Sequence, residues 1–562
     1  MKKISYILLS VLLAAGCNYL DFDETDSAYT REDMYQTYEY VNGMLTNVYG
    51  YMPQDLSSMG SGAMRECGID DAECANPDAT IQKMNNGTWS ATSTVDDQWS
   101  LYKGIRCAND FLEYFPSVDL SKYKYETSYK SRMEHVKLMP YECRLLRAFY
   151  FFELARRYGD IPMPLKMLSI EEANTIEKTP FDEVIDFIVD ECDTCAKYLP
   201  ANYKSILSNE YGRVTKGFAM AVKSKALLYA ASPLHNPEGS EQYREKWARA
   251  ARAALDLMES GLYSLVKGEK ANTVGSPEVV LCKMNSQSAS FERYNFPLRF
   301  TQGDRTSMGG TYPTQSLVDA FQTAGGYDIW LEADGFHTFD PNFDLSTPYE
   351  GRDPRFERAI LADGMRLNGR EIETFVGGLD YAANRKDLNS ITGYYIRKYI
   401  QEQTDFTPER EVTYKHHWII YRYAETLLTY AECVNEYFRS PTEHDTEFYY
   451  SALEILNEIR DNADMPHVTA SDYSSFTDAL RREWRVEFAF EDHRFWDVRR
   501  WNIGGKLPSA VYGVEIQKNG DKKEYSPKLI ERRTWEKKMN LYPIPQSELF
   551  CNPNLNPQNV GW

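Results

Sequence analysis

Residues 481–501 read RREWRVEFAFEDHRFWDVRRW. Charged and aromatic residues alternate so densely that no ordinary amphipathic face remains. In a helix, Glu483, Glu487 and Glu491 recur at i, i+4 and i+8 and share one face, with Trp484, Phe488 and Phe495 beside them. A helix with apolar surface all round is buried, and carboxylates buried with it must be paired. Arg481, Arg482, Arg485, Arg494, Arg499 and Arg500 are partners within the same segment, and guanidinium suits bidentate pairing. Paired carboxylates are also the machinery of glycoside hydrolysis. The stretch alone therefore leaves two readings, a buried charge network and an acid/base site.

The segments upstream have helical spacing. Apolar residues recur with that period over Met34–Met52, Val95–Phe115, Leu138–Tyr158, Phe181–Leu199, Thr215–Ala231, Glu241–Ser260, Trp418–Glu436 and Thr446–Asn462. After Tyr158, Gly159 supplies a C-cap and Pro162 blocks continuation. Small residues (Ala148, Ala155, Ala226, Ala230, Ala424, Ala431) mark places where helix axes approach closely. The four pairs predict a stacked, mainly α helical-repeat array of tetratricopeptide type, its period broken by insertions. On this reading residues 481–501 close the array, since a terminal repeat needs a cap.

The insertions are polar. Asp55–Ser93 is rich in Gly, Asn and Asp; Tyr263–Lys415 holds one helical run near PTQSLVDAFQ and short strand-like runs, EVVLCKM and YYIRKYI. Asn502–Phe550 reads mostly as loop. Loops of such length in a compact protein are where function concentrates.

Composition narrows the function classes. Of 562 residues 43% are apolar and 26% charged, which makes the chain globular rather than disordered. A formal net charge of −20 argues against nucleic acid as a partner. Nine cysteines besides Cys17 have no regular spacing, so no disulfide framework is expected; a Cys67–Cys74 pair within a loop is left open by the sequence, and Cys192 and Cys195 lie late in a helix as core residues. Eight histidines without H-E-x-x-H or a Cys/His cluster give no metal site, and no cofactor motif is present.

At the N-terminus Lys2 and Lys3 precede an apolar run, Ile4–Ala15, too short to span a bilayer, then small residues and Cys17. This is a secretory signal over residues 1–16. It resembles a bacterial lipobox, with Ala14 where a large apolar residue is usual. Cys17 is then the lipidation site, and residues 17–30 form an acidic tether similar to the export signal that sends some Bacteroidetes lipoproteins to the cell exterior.

Further stretches carry a family resemblance: LLRAFYFFELARRYGDIP, GRVTKGFAMAVKSKALLYAA, YRYAETLLTYAECVNE with ALEILNEIRDNADMP, residues 481–501, and the terminal LYPIPQSELFCNPNLNPQNVGW. Together with WSLYKGIRCANDFLE, PTQSLVDAF and GRDPRF they resemble the SusD/RagB family of outer-membrane nutrient-binding lipoproteins of Bacteroidetes, across nearly the whole chain. The resemblance implies one domain over residues 31–562. Its curved scaffold of helix pairs would occupy about 31–260 and 414–500, with ligand-side insertions at about 53–93 and 263–413 carrying irregular loops and a few short strands. It implies a SusC-like TonB-dependent outer-membrane transporter as partner, an oligosaccharide ligand, and attachment to the outer membrane through the lipid anchor.

The resemblance locates the ligand site without naming the ligand. The first insertion offers Asp70, Asp71, Glu73, Asn85, Asn86 and Trp89; the second offers Tyr294, Phe296, Phe300, Tyr312, Tyr327, Trp330 and Phe336. Trp330, in GGYDIWLEADG, has polar neighbours and no apolar periodicity, which makes it the first choice for stacking on a sugar, followed by Trp89. Trp99, Trp418, Trp484 and Trp501 lie in family-shared helices and belong to the core. The expected function is oligosaccharide capture without catalysis; the alternatives are a peptide-binding member of the same family and a glycoside hydrolase using carboxylates of the Glu483–Asp497 region. The arginine-rich surroundings there depress carboxylate pKa values and oppose a general acid.

Overall fold

The computed structural model describes residues 31–207, 211–301, 308–381 and 388–562. The expected signal, Cys17 and the acidic tether fall outside them. Among the described residues, the long helices of the first half, with shorter ones between them, are α1 (Tyr38–Gly50), α2 (Leu101–Tyr114), α3 (Met139–Tyr158), α4 (Phe181–Tyr198), α5 (Lys216–Ala231) and α6 (Tyr243–Glu259). Each packs on the next, and α6 then packs on α8 (Tyr423–Phe438), which carries α9 (Ala452–Asn462). The serial stack is the mainly α array of helix pairs that the periodicity predicts.

Sequence sets the depth of each helix. The run LLRAFYFFELA leaves α3 buried around almost its whole circumference, as an all-apolar helix must be. In α4 Val184, Ile185, Ile188, Cys192 and Cys195 face inward while Asp182, Glu183 and Asp186 face water. Five alanines of α6 between Ala248 and Ala254 are buried where it meets α5 and α8. Gly159 ends α3 with φ of 72°, a conformation open to glycine at little cost.

The long insertion is closed at its base. The chain leaves the scaffold on β1 (Val279–Ser288) and returns on β4 (Tyr414–Arg422), and the two strands pair antiparallel from Val279 opposite Arg422 to Ser288 opposite Tyr414. Trp418, expected in a helix, is therefore a strand residue; α8 starts only at Tyr423. The β-branched and aromatic run HHWIIY favours a strand, and its burial comes from tertiary packing that periodicity alone does not report. EVVLCKM extends to the full β1, whereas only Tyr395–Ile396 of YYIRKYI pairs. Within the insertion lie α7 (Gln315–Ala320) and the hairpin β2 (Ile329–Glu332) and β3 (Gly335–Thr338).

The C-terminal part departs most from expectation. Residues 481–501 are two helices, α10 (Tyr473–Glu487) and α11 (Arg494–Arg500), separated by a turn in which Phe490 and Asp492 have φ of 62° and 64°. Glu483 and Glu487 share a helix face; Glu491 lies in the turn. Nor does α10 cap an open end. It packs on α8 and α9 and also on α7 and the helix Pro354–Ala359 of the insertion, so it is a seam between scaffold and loops. Beyond it, the segment read as loop forms a hairpin of β5 (Ala510–Asn519) and β6 (Lys522–Arg532), which turns at Gly520, φ 65°. The Gly520–Asp521 dipeptide is the two-residue hairpin loop, with glycine at its first position. Cys67 and Cys74 are buried and form no disulfide, and Cys192 and Cys195 are likewise buried and unbridged.

Candidate ligand-binding cleft

The carboxylates of residues 481–501 are fully engaged. Arg422 donates to Glu278 at 2.7 Å, to Glu487 Oε1 at 2.7 Å and to Glu491 Oε2 at 2.8 Å, with its guanidinium 4.2 Å from the Phe488 ring centroid. Arg355 holds Asp353 at 2.7 Å, the second oxygen of Glu487 at 2.8 Å and one oxygen of Glu483; Arg460 takes the other Glu483 oxygen at 3.0 Å. Lys398 pairs with Glu491 at 2.5 Å. A second set joins the turn to the scaffold: Arg65 bonds Asp96 at 2.8 Å and Asp492 at 2.5 Å, and Arg500 bonds Glu432 at 2.9 Å. Burial raises the Glu487 and Glu491 pKa values, but Arg422 with Arg355 or Lys398 more than offsets it, and Glu491 falls to about 2. Glu487 and Glu491 do border a cavity. With every oxygen held by a cation, neither is placed to deliver a proton.

The open cleft lies elsewhere. It has a volume of about 620 Å³ and lies between the 68–85 loop, α7 and the β5–β6 hairpin, with Leu331 of β2 in its wall, within the size range of ligand pockets. Its walls are cross-linked. Thr314 caps α7 by accepting from Leu317 N–H at 3.3 Å and donates to the Asp70 carbonyl at 2.6 Å. Arg533, just past β6, reaches back to the Ala72 carbonyl at 2.9 Å and Glu73 at 2.6 Å.

Trp535 and Tyr512 supply rings to this cleft. Trp535 is wedged upright: an added Cβ at Gly504 would sit 2.0 Å from its ring, and the Arg499 guanidinium lies 4.9 Å from its centroid. Tyr512 is 40% exposed. Polar groups converge from α7. Gln315 donates to Asp319 Oδ1 at 2.7 Å, and burial pushes the Asp319 carboxyl up to about 7. Asn85 donates its amide to the Cys67 carbonyl at 3.0 Å, and its buried Oδ1 has no protein partner. Rings beside a few convergent polar groups suit a polyhydroxylated ligand.

The structure sorts the residues chosen from sequence. Trp330 and Tyr327 are at the surface, Tyr327 44% exposed. Trp330 stacks on His337 at 6.0 Å, lies 5.4 Å from the 81%-exposed Phe339, and donates Nε1–H to Glu332 at 2.8 Å. Strand alternation puts Leu331 toward the cleft and Trp330 on the opposite face of the hairpin. Asp70 reaches the cleft, but its carboxylate is occupied by Arg494 at 2.8 Å and Arg485 at 3.2 Å. Asp71 is buried on Arg485 at 2.6 Å. Asn86 is exposed and closes its own turn by accepting from Thr88 N–H at 3.0 Å.

Most of the other rings are structural. Trp89 is 2% exposed, edge-on to Trp562 at 4.6 Å and Tyr542 at 5.1 Å, and so holds the C-terminal segment rather than a ligand. Tyr312 is buried against Tyr395, Phe296 against Phe300 and Phe406, and Phe336 against Tyr349 and Tyr525. Half-buried Tyr294 packs over Gly62. Of the rings assigned to core, Trp418, Trp484 and Trp501 are buried; Trp99 is half-buried beside a groove on α2. Trp535, Tyr512, Asp319 and Phe339 were missed. Trp535 sits in RRTWEKK, a ring among charges, which is the signal that singles out Trp330.

Two family models match the chain: one described as SusD family over residues 277–562, and one described as starch-binding associating with outer membrane over residues 18–228. Among curated relatives, SusD-like protein P38 of Formosa agariphila is 23% identical over 542 residues, 90% of this chain and 92% of that protein. SusD-like protein P25 of the same organism is 22% identical over 500 residues, 85% and 79%. A SusD-like protein of Bacteroides fragilis has a solved structure that superposes with TM-score 0.75 at 27% identity, covering 94% of this chain and 98% of that one. A SusD-like carbohydrate-binding protein of Bacteroides fragilis superposes at TM-score 0.70 and 23% identity, covering 93% and 100%.

Proposed function

The chain belongs to the SusD family, and from that premise we propose that it is an outer-membrane surface lipoprotein. On this reading it captures oligosaccharides in the cleft between α7 and the β5–β6 hairpin and passes them to a SusC-like TonB-dependent transporter. The observation that carries this reading is the cleft itself, with Trp535 and Tyr512 as rings and Gln315, Asp319 and Asn85 as polar contacts. A sugar lays its apolar C–H face on an indole while its hydroxyls bond the flanking amides and carboxyl. Relatives described as carbohydrate-binding and laminarin-binding support the ligand class. On this reading Cys17 carries the lipid that attaches the protein to the membrane; no helix among the described residues is long and apolar enough to cross one.

The exposed face of β2–β3, with Trp330 and Phe339, is a second contact surface for a longer chain or for the transporter. Calorimetry with an oligosaccharide panel tests the assignment. Trp535→Ala weakens binding about tenfold, equivalent to about 1.4 kcal/mol, with the fold intact by circular dichroism. Trp330→Ala has a smaller effect that grows with chain length. Unchanged affinity in Trp535→Ala removes the cleft. Affinity for peptides alone replaces the ligand class, and reducing-sugar release lost in Glu487→Gln replaces binding with hydrolysis.

A further inference from the structure

A second cavity, of about 440 Å³, lies between the Gly268–Thr273 turn, the helix Pro354–Ala359, residues 397–402 and the end of α10, and it shares no lining residue with the cleft. Most cations around it already have an acid. Arg355 and Arg422 hold Glu487, Lys398 holds Glu491, and Arg397 holds Glu402 at 2.9 Å. His417 donates Nε2–H to the Asn272 carbonyl at 2.9 Å and so fixes one wall.

Arg358 is the exception. It is half-buried in the wall and forms no ion pair among the described residues; its one side-chain hydrogen bond is a long one, Nε–H to the Pro354 carbonyl at 3.4 Å. Nη1 points toward Gly268, where an added Cβ would be 3.9 Å away. A guanidinium taken out of water without a counter-charge is unfavourable. Burial, with Arg355 and Arg422 nearby, lowers its pKa, while Glu487, its salt bridges complete, compensates only in part.

We propose that this cavity binds a small oxyanion-bearing ligand, with Arg358 as the residue that pairs with the anion. The planar fork of Arg358 matches a carboxylate, sulfate or phosphate, and the volume leaves room for one sugar ring carrying such a group. The shared chemistry is the oxyanion, free or borne on a sugar. The site is independent of the proposed oligosaccharide cleft and gives the protein a means of recognising acidic glycans.

The test is thermal unfolding of the full chain at constant ionic strength, with sodium chloride replaced stepwise by sulfate, phosphate or glucuronate, and glucose as the neutral control. Sulfate and phosphate also stabilise proteins generally through exclusion from their surface; that component is unsaturable and common to all variants. The expected result is a saturable rise in Tm superimposed on it, weakened at least tenfold in Arg358→Gln, partly retained in Arg358→Lys and unaffected by Trp535→Ala. Saturation with glucuronate at lower concentration than with sulfate or phosphate assigns the ligand to sugar acids; the reverse order assigns it to the free ion. A saturable response equal in wild type and Arg358→Gln, or no saturable response to any of the three anions, overturns the proposal. Because Arg358 makes no ion pair, the variant has little native interaction to lose and is expected to fold.

Discussion

Removing Arg422 and removing Glu487 perturb the same network unequally, and the difference measures how it is built. Glu487→Ala leaves Arg422 with Glu278 and Glu491, and Arg355 with Asp353 and Glu483. Arg422→Met instead leaves Glu278 without a cation and takes one of two cations from each of Glu487 and Glu491, in a site where its own side chain is 2% exposed. Breaking one buried pair costs about 3–5 kcal/mol, because the partner is left charged and dry. Glu487→Ala therefore belongs at or below the bottom of that range, about 2–3 kcal/mol, and Arg422→Met at or above the top, about 5 kcal/mol or more. With about 2.1 cal/mol/K of unfolding entropy per residue over some 500 ordered residues, each kcal/mol shifts Tm by about 1 °C. Calorimetry should then show falls of about 2–3 °C and 5 °C. Oligosaccharide affinity should be unchanged in folded Glu487→Ala, since Glu487 does not line the cleft. Equal falls for the two variants would refute the network argument. A Glu487→Ala protein with unchanged Tm and lost oligosaccharide affinity would restore the stretch as a functional site.

Gly504→Ala tests the positioning of Trp535. The new methyl occupies space the indole now fills, 2.0 Å from its ring, so oligosaccharide affinity by calorimetry should fall about as far as in Trp535→Ala, roughly tenfold, with Tm lowered only slightly. Stability against pH follows from two opposed groups of carboxyls. Burial raises Asp55 to about 6 and Glu73 and Asp319 to about 7, so the folded protein binds more protons than the unfolded chain from about pH 4 to pH 7, and stability falls as pH rises through that window. Glu487 and Glu491 are lowered by their arginine and lysine partners, so their contribution is complete above about pH 4.5 and is lost as pH falls toward 2. Tm should therefore peak at about pH 4–4.5 and be lower by about 5 °C or more at pH 8. Asp319→Asn should flatten the alkaline side; an unaltered profile would show that Asp319 does not titrate there.

The array was legible because helical burial leaves a period. The stripes of α2, α4 and α6 can be read from spacing, and Gly159 marks the end of α3. Where burial came from contacts distant in sequence, the reading slipped. Trp418 and its neighbours are apolar enough for either element, and only pairing with β1 decides that they form a strand. The β5–β6 hairpin was missed because a bulge after Val511 puts that residue out of phase with Val514 and Ile516, and the rest of the hairpin is rich in lysine and glutamate, so little alternation is left to read.

The same reasoning explains why the rings of the insertions could not be sorted from sequence. A ring in a polar loop has no periodic neighbours, and its burial depends on whether a distant segment covers it. Trp89 is covered by Trp562 and Tyr542, which lie more than 400 residues later in the chain; Trp330 is covered by neither. The carboxylates of Asp70 and Asp71 are held by arginines that come from residues 481–501, more than 400 residues later in the chain. That stretch therefore supports the cleft without lining it. Arg485 and Arg494 fix the 70–71 loop and, through Thr314, the start of α7, while Arg499 supports Trp535 from beneath. The charge-rich helix pair, with its acids held by bases, thereby sets the walls of the candidate cleft in register, a geometric role that apolar residues of equal stability would not fill.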